Sequence, residues 1–256
     1  MLHHEDHGGD GEPVVLLHAF PLDSGMWHRL VPLVRERWRV VTVDLPGLGA
    51  SEVPDAEPSM AGVASAVLDV LDALTIDRAH VFGISTGGYV ALQMATDAPS
   101  RLSGLVLGST TTLLVEPDDP AQRRRTAAEV ERLGTTSPVA GSADEGVGAT
   151  AHREQPELVT MLRETIDRAN PAGVAWMARA IASRSDTTDA LIRFPGPVAL
   201  VFGAEDQATP ASRGEEMLAA RGGRGHLEVL PGVGHLTALE APTGVAAHLL
   251  ARVARP

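Results

Sequence analysis

Apolar residues along this chain gather into short unbroken runs, separated by longer stretches in which they recur every three or four positions. The runs are Val14–His18, Val40–Asp44, His80–Gly83, Leu102–Gly108, Val198–Gly203 and Leu227–Leu230. Most lack period-two alternation, which is the pattern of strands covered on both faces. Helical spacing is predicted near Ser24–Arg35, Ser59–Leu74, Thr86–Asp97, Ala211–Ala220 and Pro242–Val253, with Ser24 and Ser59 as N-caps and Pro242 at a first helical position. Strands alternating with helices predict βαβ units, hence an α/β fold with a mostly parallel central sheet flanked by helices.

One interval breaks the rhythm. From about Thr111 to Phe194 no strand-like run occurs, and Ala121–Leu133, Pro156–Ala169 and Gly173–Ser183 are amphipathic, punctuated by Pro138, Gly141, Pro156 and Pro171. This predicts a helical lid at 111–194, inserted into a core made of 1–110 and 195–256. No strand is predicted ahead of Val14. Met1–His7 reads as a frayed terminus, with a first strand missing, and its His3, His4 and His7 read as solvated rather than metal-binding.

At 256 residues the chain can bury a large core as one domain with an insertion. Its formal net charge of −12 argues against nucleic acid and anionic membrane surfaces as partners. The absence of cysteine excludes disulfides and thiolate chemistry. No apolar run approaches the length of a membrane span, and the N-terminal residues lack the cationic and apolar regions of a signal peptide. The expected compartment is the cytoplasm.

Candidate chemistry centres on Ser85. An apolar run ends in Gly83-Ile84-Ser85-Thr86-Gly87 and turns at once into a helical pattern, the strand–turn–helix context in which Gly-x-Ser-x-Gly presents a nucleophilic hydroxyl. Gly83 and Gly87 fall where a side chain would meet crossing backbone. Such a serine needs a base, and the base needs an orienting acid. Among ten histidines, His235 in Gly232-Val233-Gly234-His235-Leu236 has the best context, after the last strand run. His18 is a second candidate base, while His28, His80, His152, His226 and His248 read as structural or surface residues. Asp206, after the run Val198–Gly203, is the favoured acid, with Glu205 one position away. An oxyanion hole needs two converging backbone N–H groups; Thr86 and Phe20, in His18-Ala19-Phe20-Pro21, would supply them.

These segments together resemble the α/β-hydrolase superfamily. The residues that carry the resemblance are His18-Ala19-Phe20-Pro21 with Trp27 downstream, Asp44-Leu45-Pro46-Gly47-Leu48-Gly49-Ala50-Ser51, the Ser85 turn, Gly203-x-x-Asp206-x-x-x-Pro210 and Gly232-x-Gly234-His235. Within it the chain is most similar to small bacterial serine esterases and 3-oxoadipate enol-lactonase-like enzymes, and to cofactor-free haloperoxidases. Ala19 departs from the glycine common in such a His-Gly motif, and Thr86 from the usual Met or Gln.

The resemblance implies Ser85 as nucleophile, His235 as base, Asp206 as acid, and Phe20 and Thr86 as oxyanion donors, with no cofactor and no metal. The expected reaction is hydrolysis of a small-molecule ester or lactone through an acyl-enzyme. Cofactor-free C–C hydrolysis, perhydrolysis or a specialised biosynthetic step on the same residues is an alternative, as is a slow or inactive ligand receptor. Trp27, Met161, Trp176, Met177 and Leu236 are the candidate substrate contacts. Arg123-Arg124-Arg125 reads as a solvated helix face, with a carboxylate clamp as its functional alternative.

Overall fold

The unbroken apolar runs become strands whose side chains are covered on both sides. In the computed structural model, which describes residues 1–114 and 119–252, the strands are β1 (His4–Asp6), β2 (Pro13–Leu17), β3 (Arg39–Val43), β4 (Ala79–Ile84), β5 (Leu102–Gly108), β6 (Val198–Gly203) and β7 (His226–Leu230). They form one sheet in the order β1-β3-β2-β4-β5-β6-β7. All neighbours are parallel except β1, which pairs antiparallel with β3. Every residue of β4 and β6 is buried, so the middle of the sheet excludes water from both faces. The parallel strands point their C-terminal ends to one edge, where the loops carrying the candidate chemistry emerge.

Helices cover the sheet. Met60–Ala73 is capped by Ser59, whose hydroxyl accepts the Gly62 N–H, and Thr86–Asp97 follows β4 directly. Ser212–Ala220 and Pro242–Arg252 complete the core layers, the latter opening on the proline predicted there. Between β5 and β6 the described residues hold no strand. They form helices Pro120–Leu133, Pro156–Arg168 and Pro171–Ala182, with shorter pieces at Ser142–Glu145, Ala149–Glu154 and Thr188–Arg193. Residues 115–118 of the predicted insertion lie outside the described residues.

Two local expectations are corrected. The predicted helix Ser24–Arg35 is a 3₁₀ turn, Ser24–Trp27, followed by a single α-turn, Val31–Val34. Pro32 has no N–H to donate back to the preceding turn, so one helix cannot run through. Asp23, not Ser24, is its N-cap, accepting the Gly25 N–H at 2.8 Å.

The N-terminus is also not frayed. His4–Asp6 is the edge strand β1, and the three histidines are drawn to separate partners. His3 Nδ1 lies 2.9 Å from Asp44 Oδ2, His4 Nδ1 2.9 Å from the Leu2 carbonyl, and His7 Nε2 3.0 Å from Thr42 Oγ1. A three-residue strand of His, Glu and Asp carries no apolar signal; its register comes from β3.

Asp44 follows β3 directly and organises this corner. Its carboxylate is almost fully buried and accepts the Ser24 N–H at 2.7 Å and the Ala50 N–H at 2.9 Å, besides the His3 contact. Burial alone would raise its pKa, but the N–H donors of Ala50 and Ser24 hold it below the ordinary carboxylate value. A carboxylate depressed in the folded state adds stability above its unfolded pKa, and that stability is lost as pH falls through the folded value. Asp44→Asn should therefore cost about 1–3 kcal/mol at pH 7 and flatten the acid loss of stability. Urea unfolding between pH 7 and pH 3 checks this, and parallel curves for the two proteins would refute it.

Candidate active site

Ser85 occupies the turn between β4 and the helix Thr86–Asp97 with φ 54° and ψ −115°, a left-handed conformation costly for any residue with a Cβ. The chain holds it there from several sides. Its N–H donates to the Gly108 carbonyl at 2.9 Å, while its own carbonyl accepts from Gly88 N–H and Thr110 Oγ1, each at 2.9 Å. The flanking glycines permit the crossing. A Cβ on Gly83 would lie 2.1 Å from the Gly87 carbonyl, and one on Gly87 would lie 2.0 Å from the Leu17 carbonyl.

Asp206 and His235 are brought together from loops after β6 and β7. His235 Nδ1 lies 2.9 Å from Asp206 Oδ2, while Asp206 Oδ1 accepts the N–H groups of Ala208 at 2.9 Å and Thr209 at 2.8 Å. With an acceptor at Nδ1, the neutral ring carries its proton there and leaves a lone pair on Nε2. Both alternatives left open by the sequence go elsewhere. Glu205 turns away, its two oxygens accepting from Thr150 N–H and Thr150 Oγ1, both at 2.7 Å. His18 is fully buried, with Nδ1 on the Ala19 carbonyl at 3.0 Å and Nε2 accepting the Leu45 N–H at 2.9 Å. Burial pushes its pKa down, and both ring nitrogens are engaged. It is a neutral brace for two loops.

Ser85 and His235 line one cavity of about 230 Å³, whose wall includes Phe20, Thr209 and Leu236 from the core and Gln122, Arg123, Thr126, Ser142 and Glu145 from the helical insertion. Among the described residues the N–H groups of Phe20 and Thr86 donate to no protein acceptor. Of the five candidate substrate contacts, only Leu236 is on the wall. Trp27 is fully buried with its ring 5.0 Å from that of Phe82, and Met177 is fully buried. Trp176 is fixed by its Nε1–H to the Ala56 carbonyl at 3.0 Å, and Met161 packs half-buried against the core. Large apolar side chains at helical spacing here serve packing. The arginine run divides: Arg124 and Arg125 are exposed, whereas Arg123 lies over the Phe20 ring, 5.2 Å from its centroid, and faces the cavity.

The sequence model of the alpha/beta hydrolase fold matches residues 12–242. The chain belongs to the α/β-hydrolase fold family. This α/β hydrolase is 29% identical over 244 residues to a pimeloyl-[acyl-carrier protein] methyl ester esterase of Nitrosomonas europaea, spanning 93% of the chain and 94% of that protein. It is 28% identical to 3-oxoadipate enol-lactonase 1 of Acinetobacter baylyi, over 80% of the chain and 75% of that enzyme. Among solved structures, a thermophilic esterase from Thermogutta terrifontis with malate bound superposes with a TM-score of 0.91 at 32% identity, over 97% of the chain and 91% of that structure. The expectation of an esterase-like α/β hydrolase therefore holds. No helix among its described residues is long and apolar enough to cross a membrane.

The hydrolase also carries a carboxylate that sequence reasoning missed. Glu240 is buried below the His235 loop, its Oε2 accepting the Gly148 N–H at 2.9 Å and the Gly234 N–H at 2.8 Å, and its Oε1 the Leu236 N–H at 3.1 Å. Burial raises its pKa, opposed by those three donors and by the charge of His235. A lone acid within Leu236-Thr237-Ala238-Leu239-Glu240-Ala241-Pro242 was the available signal.

Proposed function

We propose that this protein is a serine hydrolase that cleaves an ester or lactone bond of a small molecule through an acyl-enzyme. Ser85 Oγ attacks the carbonyl carbon as His235 Nε2 takes its proton, and the tetrahedral oxyanion is received by the Phe20 and Thr86 N–H groups. His235 then protonates the leaving alcohol, and water repeats the sequence on the acyl-serine. Asp206 holds the imidazole in the required tautomer. The observation that carries this reading is the Asp206–His235 pair at 2.9 Å, with its imidazole on the wall shared by the strained serine. The similarity to an esterase and an enol-lactonase supports the same bond class. Residues 111–194 act as the lid, since their helices supply much of the cavity wall.

A fluorophosphonate probe tests the reading, as it should label Ser85 stoichiometrically and abolish turnover of a panel of acyl esters, lactones and thioesters. An unlabelled protein would fit a ligand receptor instead. Because the base must be neutral, kcat/KM should fall on the acid side through the range in which histidine titrates.

Arg123 gives the substrate a chemical bias. A guanidinium braced on Phe20 at the wall of the nucleophile's cavity suits an acyl group ending in a carboxylate, with Glu145 disfavouring anions elsewhere on the wall. Arg123→Ala should raise KM for a half-ester of a dicarboxylic acid about 10- to 100-fold, with little change for the matching neutral diester. Equal effects on both esters would remove the bias.

A further inference from the structure

A general base must be held to within a fraction of an ångström, and its ring partner fixes only its orientation. The backbone that carries the ring needs its own anchor. Glu240 stands where such an anchor is required: it accepts the N–H groups of Gly234 and Leu236, the residues immediately before and after His235. Its third donor, Gly148, belongs to the helical insertion, and the Leu236 N–H also reaches the Gly146 carbonyl at 3.1 Å.

The two backbones meet so closely that only glycines fit. A Cβ on Gly234 would lie 2.2 Å from the Gly148 nitrogen, and one on Gly148 would lie 2.8 Å from the Gly234 nitrogen. Gln155 closes the far side, its Nε2–H donating to the Glu240 carbonyl at 3.1 Å.

We infer that Glu240 is a positioning residue for His235, gripping the backbone on both sides of the imidazole and tying it to the insertion through Gly148. The inference rests on the reading of His235 as the base. Three N–H donors converge on one buried side chain, and a group with acceptors on both atoms meets all of them. Glutamine does not, because its NH₂ would face a donor. The other charged side chains around this junction are His235 on the same loop, Asp206 and Glu205 after β6, Arg29 on the Leu239 carbonyl, Arg153 beside Glu205, and Glu145 and Arg123 on the cavity wall that His235 shares. Of these, His235 is the one whose charge acts on the Glu240 carboxyl.

Glu240→Gln should lower kcat about 10- to 100-fold with KM within threefold of the parent. The acid limb of its kcat/KM profile should move to lower pH, since the imidazolium loses a neighbouring anion. Glu240→Asp keeps the charge but is one methylene short, so its kcat should fall between the two and its acid limb should stay with the parent. A Glu240→Gln protein with parental kcat and acid limb, differing only in Tm, overturns the assignment. If that variant does not fold, amide exchange in the parent decides. The Gly148, Gly234 and Leu236 amides should exchange slowly and together, and rapid or independent exchange overturns the inference. Fluorophosphonate labelling of the parent separates the two levels. An unlabelled Ser85 removes the hydrolase reading itself, whereas a labelled parent with an unaffected Glu240→Gln removes only the role of Glu240.

Discussion

Replacing Ser85 with alanine should lower kcat for acyl ester hydrolysis on the order of 10⁴- to 10⁶-fold while leaving the fold intact. The hydroxyl is the one atom the proposed covalent step cannot do without; residual turnover would come from the oxyanion donors and His235 acting on water. The backbone at this position makes a second comparison informative. With φ 54° and ψ −115°, the residue is held in a region that glycine enters freely and a Cβ does not. Ser85→Gly should be as inactive as Ser85→Ala but more stable than it by about 1 kcal/mol or more. Steady-state kinetics with thermal unfolding of both variants measures the two effects together. An alanine variant within tenfold of the parent would end the proposal that Ser85 is the nucleophile. Equal stability of the two variants would show that the turn stores no strain.

The sheet was legible because parallel strands covered on both faces must be apolar throughout, and runs such as Val198–Gly203 could be read to their ends. The Ser85 turn was legible for a steric reason, since its two glycines stand where backbones cross. Asp206 and His235 could be placed because both follow strand runs, although the choice between Asp206 and Glu205 depended on which way each carboxylate turns. That direction is set by Thr150, 55 residues away in sequence, which takes up Glu205.

Other features had no local signal. The edge strand His4–Asp6 is polar because one side of it meets solvent, and it exists only by pairing with β3. Trp27 and Met177 read as pocket residues because size and apolarity suit a cavity wall and a core equally well. Arg123 differs from Arg124 and Arg125 only by the direction in which the helix Pro120–Leu133 presents it. Glu240 was hidden because its donors are backbone groups, which every residue owns.

Asp206→Asn should lower kcat by about 10⁴-fold without loss of the fold, and the reason can be followed atom by atom. Oδ1 of Asp206 accepts two backbone N–H groups, from Ala208 and Thr209, and Oδ2 faces His235 Nδ1. Asparagine has one oxygen for these two directions. Turned toward Ala208 and Thr209, that oxygen satisfies two donors, and the NH₂ is then left against the imidazole. An NH₂ group there donates to Nδ1, so the neutral ring carries its proton on Nε2 and presents no lone pair to the serine. The base is present but in the wrong tautomer. Raising the pH cannot restore it, because deprotonating the imidazolium returns that same tautomer, so the loss should persist across the alkaline plateau of kcat. Glu205→Gln is the matched control one residue away: its carboxylate binds Thr150 rather than the imidazole, and its loss should cost at most a few-fold. Comparable losses in the two variants would mean that charge near the loop, and not the tautomer of His235, is what Asp206 supplies.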